Sequence, residues 1–535
     1  MIDILIKNGW IVDGTGKPGF PGEVGVAAGR IALVAERIDA DAHTVIDAGG
    51  LVVAPGFIDC HTHSDKNVFL GSDGSKYLGQ GVTTQIVGQC GSSPAPYSEG
   101  RLDDLKDCGT PEEFAEWVAQ DASPASFLRA ADAASLGTNM AFFIGHGAVR
   151  SKVMGCTDAR PTPEQLRQMQ QILREAMEAG CLGYSSGLVY APSVYADTDE
   201  LTELARTVAE YGGIYASHIR GEGSGVLRAV REAIAIGRDA GATAWISHLK
   251  VIGRANEGMS ERLLREIDEA NGNGQRVFAD QYPYTASSAP LLSQIPPRFL
   301  TRGKADFLAR CADPALRAEI ADAISHETEA FESSLYTAGY ENCLVVGAEK
   351  TPELQNQTLA AIAAKQGCSP LDALCDLLRR NNGNAQGIYF NQCASDLMRI
   401  MAHPRVFCGS DWSDERHPVD EMQVGNGHPR GTGTMVRRLE LVRDFNLRTL
   451  EESVHNLTLA PARALGLAHI GCLAPGWNAD ITVLDYENLH APATYAHPHR
   501  KNTGIVHVLV NGQLAVRDGV LTGKRAGRAL KRSAG

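Results

Sequence analysis

No apolar run in this 535-residue chain approaches the roughly 20 residues that a helical membrane span requires. The opening segment, Met1-Ile2-Asp3-Ile4-Leu5-Ile6-Lys7-Asn8-Gly9, lacks the basic start and long apolar core of an export signal. Basic blocks are also missing. The formal charge is −13, and only Lys524-Arg525 through Arg532 concentrates positive charge. Nucleic acid and anionic membrane are therefore not expected partners, and the basic end reads as a solvated tail. A disulfide framework is absent as well: the 12 cysteines are scattered, several within apolar strands (Cys343, Cys408), as reduced core thiols are. A soluble, cytoplasmic protein is expected.

What is present is an α/β pattern between two β-rich ends. Residues 1–50 hold short strand-like runs (4–6, 10–12, 23–26, 30–35) punctuated by glycine and proline. The same style returns near the carboxyl end with 480–485, 505–510 and the hairpin signals Asn511-Gly512 and Asp518-Gly519. The two ends are expected to share a small β-sandwich, residues 1–52 plus 465–535. Between them, eight apolar runs (52–58, 82–87, 141–144, 182–185, 214–217, 244–247, 277–280 and 406–409) alternate with helical patterns such as 163–179, 199–211, 226–240 and 260–271. Eight such units predict a closed (β/α)8 TIM-like barrel over 53–464. Two further runs, 343–346 and 387–390, do not fit an eightfold count, and about 285–366 is long enough to be an insertion near the active face.

In a barrel of this kind, functional groups stand where strands end. The first strand ends in His61-Thr62-His63, whose alternate imidazoles project to one side of the strand tip. The second ends in Gln89-Cys90-Gly91, the fifth in Ser217-His218, the sixth in Ser247-His248 and the eighth in Gly409-Ser410-Asp411. Taken singly, Cys90 reads as a small core residue, His218 or His248 as a capping imidazole and Asp411 as a helix N-cap. Metal-binding or acidic groups at five strand ends together point to one metal-dependent site.

These pieces resemble the amidohydrolase superfamily and, within it, the N-acyl-D-amino-acid deacylases, or D-aminoacylases. The matching segments are Pro55-Gly56-Phe57-Ile58-Asp59-Cys60-His61-Thr62-His63, Gly81-Val82-Thr83-Thr84 with Gly88-Gln89-Cys90-Gly91, Ser217-His218-Ile219-Arg220, Ile246-Ser247-His248-Leu249-Lys250, Tyr282-Pro283-Tyr284, Gly409-Ser410-Asp411, His428-Pro429-Arg430 and Pro475-Gly476-Trp477-Asn478-Ala479-Asp480-Ile481. Many binuclear relatives bridge their metals with a carboxylated lysine from strand four, but that strand here runs Leu182-Gly183-Tyr184-Ser185-Ser186-Gly187. The resemblance implies that Cys90 takes this place, making a tight Zn²⁺ site with His218 and His248 and a second, weaker one with His61 and His63. It further implies Asp411 as the proton shuttle, and Lys250, Tyr282, Ser288 and Arg430, with Tyr190 nearby, as the groups that receive the carboxylate of a small N-acyl amino acid. Arginine suits that task because its planar fork meets a carboxylate with two parallel bonds. Lys250 follows His248 by two residues and is expected on the same side of the strand.

The chain departs from the family in two places. Gln89 stands where an asparagine is expected before the cysteine, and the stretch from Trp412 to His428 is longer than the family's. No serine nucleophile competes, because Gly223-Ser224-Gly225 lacks a strand-to-helix elbow. The expectation is therefore zinc-dependent hydrolysis of N-acyl-D-amino acids. The alternatives are an amidohydrolase acting on a cyclic amide or another N-acylated small molecule, and a non-enzymatic scaffold, which would have no need of the full ligand set.

Overall fold

The eight expected strands join in chain order into one parallel sheet: Phe57–Asp59 (β1), Val82–Val87 (β2), Asn139–Gly145 (β3), Gly183–Gly187 (β4), Ile214–His218 (β5), Thr243–Ile246 (β6), Val277–Gln281 (β7) and Val406–Cys408 (β8). They belong to a computed structural model that describes residues 2–98, 112–326, 328, 331–413, 425 and 427–533. The strands are buried almost throughout because both faces of the sheet are covered. Along β3, Ala141 and Phe143 face the barrel interior with Ile58, Ile86, Trp245 and Phe407, whereas Met140, Phe142 and Ile144 pack outward against the helical layer. That layer includes Pro163–Ala179, whose first turn is closed by a reciprocal cap between Thr162 and Gln165.

The seam between β8 and β1 closes at the strand ends. Cys60 N–H donates to the Cys408 carbonyl (2.9 Å), Asp411 N–H to the His61 carbonyl (2.8 Å) and His63 N–H to the Trp412 carbonyl (2.8 Å). The last two bonds lie among the candidate site residues, so barrel closure and site geometry share a backbone.

The apolar run at 52–58, expected as one strand, is two. Val52–Pro55 pairs with Ile2–Ile11 and Ile481–Leu484 in the terminal sheet, and only Phe57–Asp59 enters the barrel. Gly56 makes the break: a Cβ there would lie 2.2 Å from Thr83 Oγ1. Both ends of the chain thus meet in a single nine-stranded sheet. Its hairpins at Asn511-Gly512 and Asp518-Gly519 have positive φ at both turn residues, the geometry those pairs favour.

Between β7 and β8 the strands Ser287–Pro290, Cys343–Val346 and Gln386–Tyr389 form a separate antiparallel sheet over a core that includes Leu291, Phe307, Val345, Leu374 and Leu378. Both runs left out of the eightfold count belong to it, and the segment returns to its start where Gln392 N–H donates to the Thr285 carbonyl (3.1 Å).

The basic end keeps Lys524, Arg525, Arg528 and Lys531 exposed, as the sequence suggests, but it is anchored and not a free tail. Ala529–Leu530 pairs in parallel with β3, Lys531 Nζ lies 3.0 Å from Asp132 Oδ2, and Arg532 donates to the Tyr211 carbonyl. Two apolar residues among the cations supply that anchor. Among the described residues eleven cysteines are free, Cys343 and Cys408 being buried as expected, and no helix is long and apolar enough to cross a membrane.

Asp480 ties the terminal sheet to the barrel. Its buried carboxylate accepts from Asn139 Nδ2 on β3 (3.1 Å) and from Asn511 N–H (2.7 Å). Asp480→Ala leaves the buried Asn139 amide, at roughly 1–3 kcal/mol, and the half-buried Asn511 N–H without that acceptor. Thermal unfolding is expected to begin several degrees lower, and an unchanged melting curve would show that the seam does not depend on Asp480.

Candidate metal centre

Cys90 stands at the middle of the strand ends. Its backbone has φ +53°, between Gly88 (+77°) and Gly91 (+74°), and Ser185 on β4 accepts from Gly91 N–H (3.0 Å) while donating to the Gly88 carbonyl (2.5 Å). Strand four, which has no lysine to offer, instead sets the loop that carries the sulfur. Cys90 Sγ is 3.4 Å from His61 Nε2 and 3.4 Å from His248 Nε2, and His248 Nε2 is 2.9 Å from His218 Nδ1. Two donor groups result, His61, His63, Cys90 and Asp411 in one and Cys90, His218 and His248 in the other, each with its ligand atoms within 4.8 Å of one another. One thiol and imidazole nitrogens at such spacing, in buried surroundings, fit zinc.

His218 closes β5, while His61, His63, Cys90, His248 and Asp411 lie just past strand ends. His248 (φ +34°) and Asp411 (φ +51°) share with Cys90 a left-handed backbone that side chains rarely adopt. Lys250 reaches the site by that turn and not by strand alternation, because β6 stops at Ile246. Its Nζ lies 2.8 Å from His248 Nδ1, 3.0 Å from the His248 carbonyl and 2.5 Å from Glu222 Oε1.

Charge is concentrated here. Burial raises the Cys90 pKa, but His61, His248 and His218 outweigh it and hold the thiol well below its usual value. Burial likewise opposes ionisation of Asp411, yet Arg430, His248, His63 and His61 keep its carboxyl well below the usual range. Asp411 Oδ2 is 2.8 Å from Arg430 Nη1, and Oδ1 is 3.1 Å from His63 Nε2. The Arg430 guanidinium lies 4.9 Å over the Tyr282 ring and approaches the Ser288 carbonyl at 3.4 Å, so Ser288 enters the site through its backbone. Tyr190 packs edge-on to His218 with ring centroids 5.0 Å apart. All eleven residues singled out in the sequence therefore gather at one end of the barrel. Most of the long 412–428 stretch, residues 414–424 and 426, lies outside the described residues.

Comparison with known proteins places the chain in a family. A model of the amidohydrolase family matches residues 44–516. The chain belongs to the amidohydrolase family. It is 35% identical over 539 residues to a D-aminoacylase of Alcaligenes xylosoxydans xylosoxydans, covering 99% of this chain and 98% of the relative. An N-acyl-D-glutamate deacylase of the same organism is also 35% identical, over 538 residues, covering 100% and 97%. Among solved structures, a D-aminoacylase crystal structure superposes with TM-score 0.81 at 31% identity (99% and 100% covered). An N-acyl-D-glutamate deacylase from Bordetella bronchiseptica, complexed with zinc and a phosphonate mimic of the tetrahedral intermediate, gives 0.81 at 33% (99% and 100%).

Two carboxylates in this amidohydrolase site were not picked out from the sequence. Asp280, on β7, lies 3.2 Å from His61 Nδ1 and accepts from Trp245 Nε1 (2.7 Å) and His248 N–H (2.8 Å). Glu222, on the loop after β5, is 3.2 Å from His248 Nδ1 and 2.5 Å from Lys250 Nζ. Burial disfavours the Glu222 carboxylate, but Lys250, His218 and His248 hold it ionised. The available signal was position alone, an acid within a strand or four residues past a strand-end histidine. Gln89, the family departure, donates from Nε2 to the Cys60 carbonyl (3.1 Å), while its Oε1 is buried without a partner.

Since Cys90 Sγ belongs to both donor groups, Cys90→Ala removes a donor atom from each. Metal analysis after dialysis is expected to find tightly held zinc in the parent and none in the variant. A variant that kept its zinc would remove Cys90 from the ligand set.

Proposed function

We propose that this chain hydrolyses the amide bond of N-acyl-D-amino acids, releasing a carboxylic acid and a free D-amino acid, with zinc as cofactor. The observation that carries this reading is the placement of two buried cations, Arg430 and Lys250, beside a buried Cys-His donor set. In such a site zinc supplies Lewis acidity toward the amide carbonyl and makes water a nucleophile near neutral pH. We assign Cys90, His218 and His248 to the tight site, and His61 and His63 with Cys90 to a weaker one.

Asp411 then acts as the proton carrier. Held ionised, its Oδ1 accepts the proton of the attacking water and delivers it to the departing amine, a transfer that requires one carboxylate within hydrogen-bond reach of both. Arg430 receives the substrate carboxylate. Its Nε is buried without a hydrogen-bond partner, a vacancy that the second oxygen of a forked carboxylate would fill. Tyr282 supports the guanidinium from below, Lys250 adds a second positive charge, and Tyr190 limits the space over His218. The preference for the D-enantiomer is carried by similarity to the deacylases, because one anchor and one metal leave two ways to point a side chain. Free cysteines favour a reducing compartment, and the cytoplasm is the proposed location.

Asp411→Asn is expected to keep zinc while losing turnover by about 10²- to 10⁴-fold, the worth of general acid–base catalysis. Near-normal turnover with zinc retained would end the shuttle assignment.

The carboxylate anchor is tested with both enantiomers of N-acetyl-glutamate and N-acetyl-leucine and with their carboxamides, on the parent and on Arg430→Lys. D-acids are expected to react and carboxamides hardly at all, and lysine, which keeps charge but not the fork, should lose about 1.5–3 kcal/mol of binding. Equal rates for acid and carboxamide would redirect the reading to a general or cyclic amide hydrolase. A preference for L-acids would keep the anchor and defeat the D assignment.

A further inference from the structure

His248 Nδ1 has two neighbours that demand opposite protonation states. The Lys250 ammonium, 2.8 Å away, can only donate, so contact with it requires a lone pair on Nδ1. The Glu222 carboxylate, with Oε1 3.2 Å away, can only accept, so contact with it requires N–H. The ring's other nitrogen decides which state serves a metal. Nε2 faces Cys90 Sγ at 3.4 Å and His218 Nδ1 at 2.9 Å, so it must offer its lone pair there, and Nδ1 must then carry the hydrogen. The same Glu222 oxygen lies 3.8 Å from His218 Nε2, the nitrogen of that ring turned away from His248, and 2.5 Å from Lys250 Nζ.

We propose that Glu222 is a positioning residue that selects the metal-binding tautomer of His248: it accepts the Nδ1 hydrogen and draws the Lys250 ammonium onto itself. This rests on the zinc-hydrolase reading above and adds a residue to it. Without Glu222, the ammonium keeps only His248 Nδ1 and the His248 carbonyl among these partners. That arrangement favours hydrogen on Nε2 and closes the nitrogen to metal. The loop is built to hold the carboxylate in place. The Glu222 carbonyl accepts from Ile252 N–H (2.9 Å), and from the insertion Glu332 accepts the N–H groups of Glu222 and of Gly223 (2.6 Å for the latter). Carboxylates placed behind metal-binding histidines typically change metal affinity 10- to 100-fold.

The test measures zinc affinity by chelator competition on the full-length protein, with a thermal melt of each metal-free variant to establish folding. Glu222→Ala is expected to weaken zinc about 10- to 100-fold, and Glu222→Gln, which keeps an acceptor but not the charge, by less. The discriminating variant is Glu222→Ala combined with Lys250→Met. Removing the competing ammonium should restore most of the lost affinity, which a role confined to folding would not do, and Glu222→Gln, which loses the same charge as the alanine variant, separates an acceptor role from general charge by weakening zinc less. Glu222→Ala and Glu222→Gln that bind zinc as the parent does would overturn the assignment, and loss without rescue in the double variant would overturn the tautomer selection. A parent without tight zinc would overturn the metal reading and this one with it. Should the alanine variant fail to fold, the Gln variant alone and with Lys250→Met carries the same comparison.

Discussion

The sulfur of Cys90 is what the site depends on, since it is the atom shared by both donor groups. Holding it there has a conformational cost. Cys90, His248 and Asp411 each adopt positive φ, and non-glycine residues in that region cost on the order of 1–3 kcal/mol apiece. Such strain persists only where surrounding contacts over-determine it. For Cys90 these are the Ser185 bridge to Gly88 and Gly91; for His248, the Asp280 carboxylate on its N–H; for Asp411, the bond from its N–H to the His61 carbonyl. Strained residues and the bonds that hold them stand at the ends of β2, β6 and β8, so the cost falls outside the regular sheet.

Barrel closure and the placement of the donor groups are consequently one problem. The bonds that join β8 to β1 run through Cys60, His61, His63, Asp411 and Trp412, and Ser410 N–H donates to the buried Asp59 carboxylate (2.9 Å), which also accepts from His61 N–H (3.2 Å). A change that opens this seam would move His61, His63 and Asp411 together. Gly56 contributes from the other end of β1, since the close approach of its backbone to Thr83 lets the chain leave the terminal sheet and enter the barrel within one residue.

Much of this was legible in the sequence because it is periodic or local. Eight apolar runs gave the barrel, and His61-Thr62-His63, Cys90, His218, His248 and Asp411 could be placed by their position after those runs. What escaped depends on contacts distant in sequence. Asp280 sits inside an apolar strand and reads as sequence noise until the fold sets it against His61, 219 residues away. Glu222 reads as an ordinary loop acid until Lys250 folds back onto it. Lys250 was placed on the right side for an incomplete reason, as period-two alternation was extended past Ile246, where the strand has already turned. The split at Gly56 and the anchoring of Ala529–Leu530 turn on which partner strand is available, which an apolar run does not specify.

The charges explain why these neighbours recur as a set. A thiolate at Cys90 with carboxylates at Asp411 and Glu222 is too much negative charge to bury without compensation, and Arg430 beside Asp411 and Lys250 beside Glu222 supply part of it. The remainder falls on the histidines. Burial opposes protonation of His61 and His63, but Asp280, Cys90 and Asp411 outweigh it, leaving His61 well above its usual pKa and His63 raised to about 9. A metal ion provides the same positive charge and needs the same imidazole nitrogens deprotonated, so protons and metal compete for one set of atoms. The anions that draw protons onto the histidines are the anions that make the pocket attractive to a divalent cation.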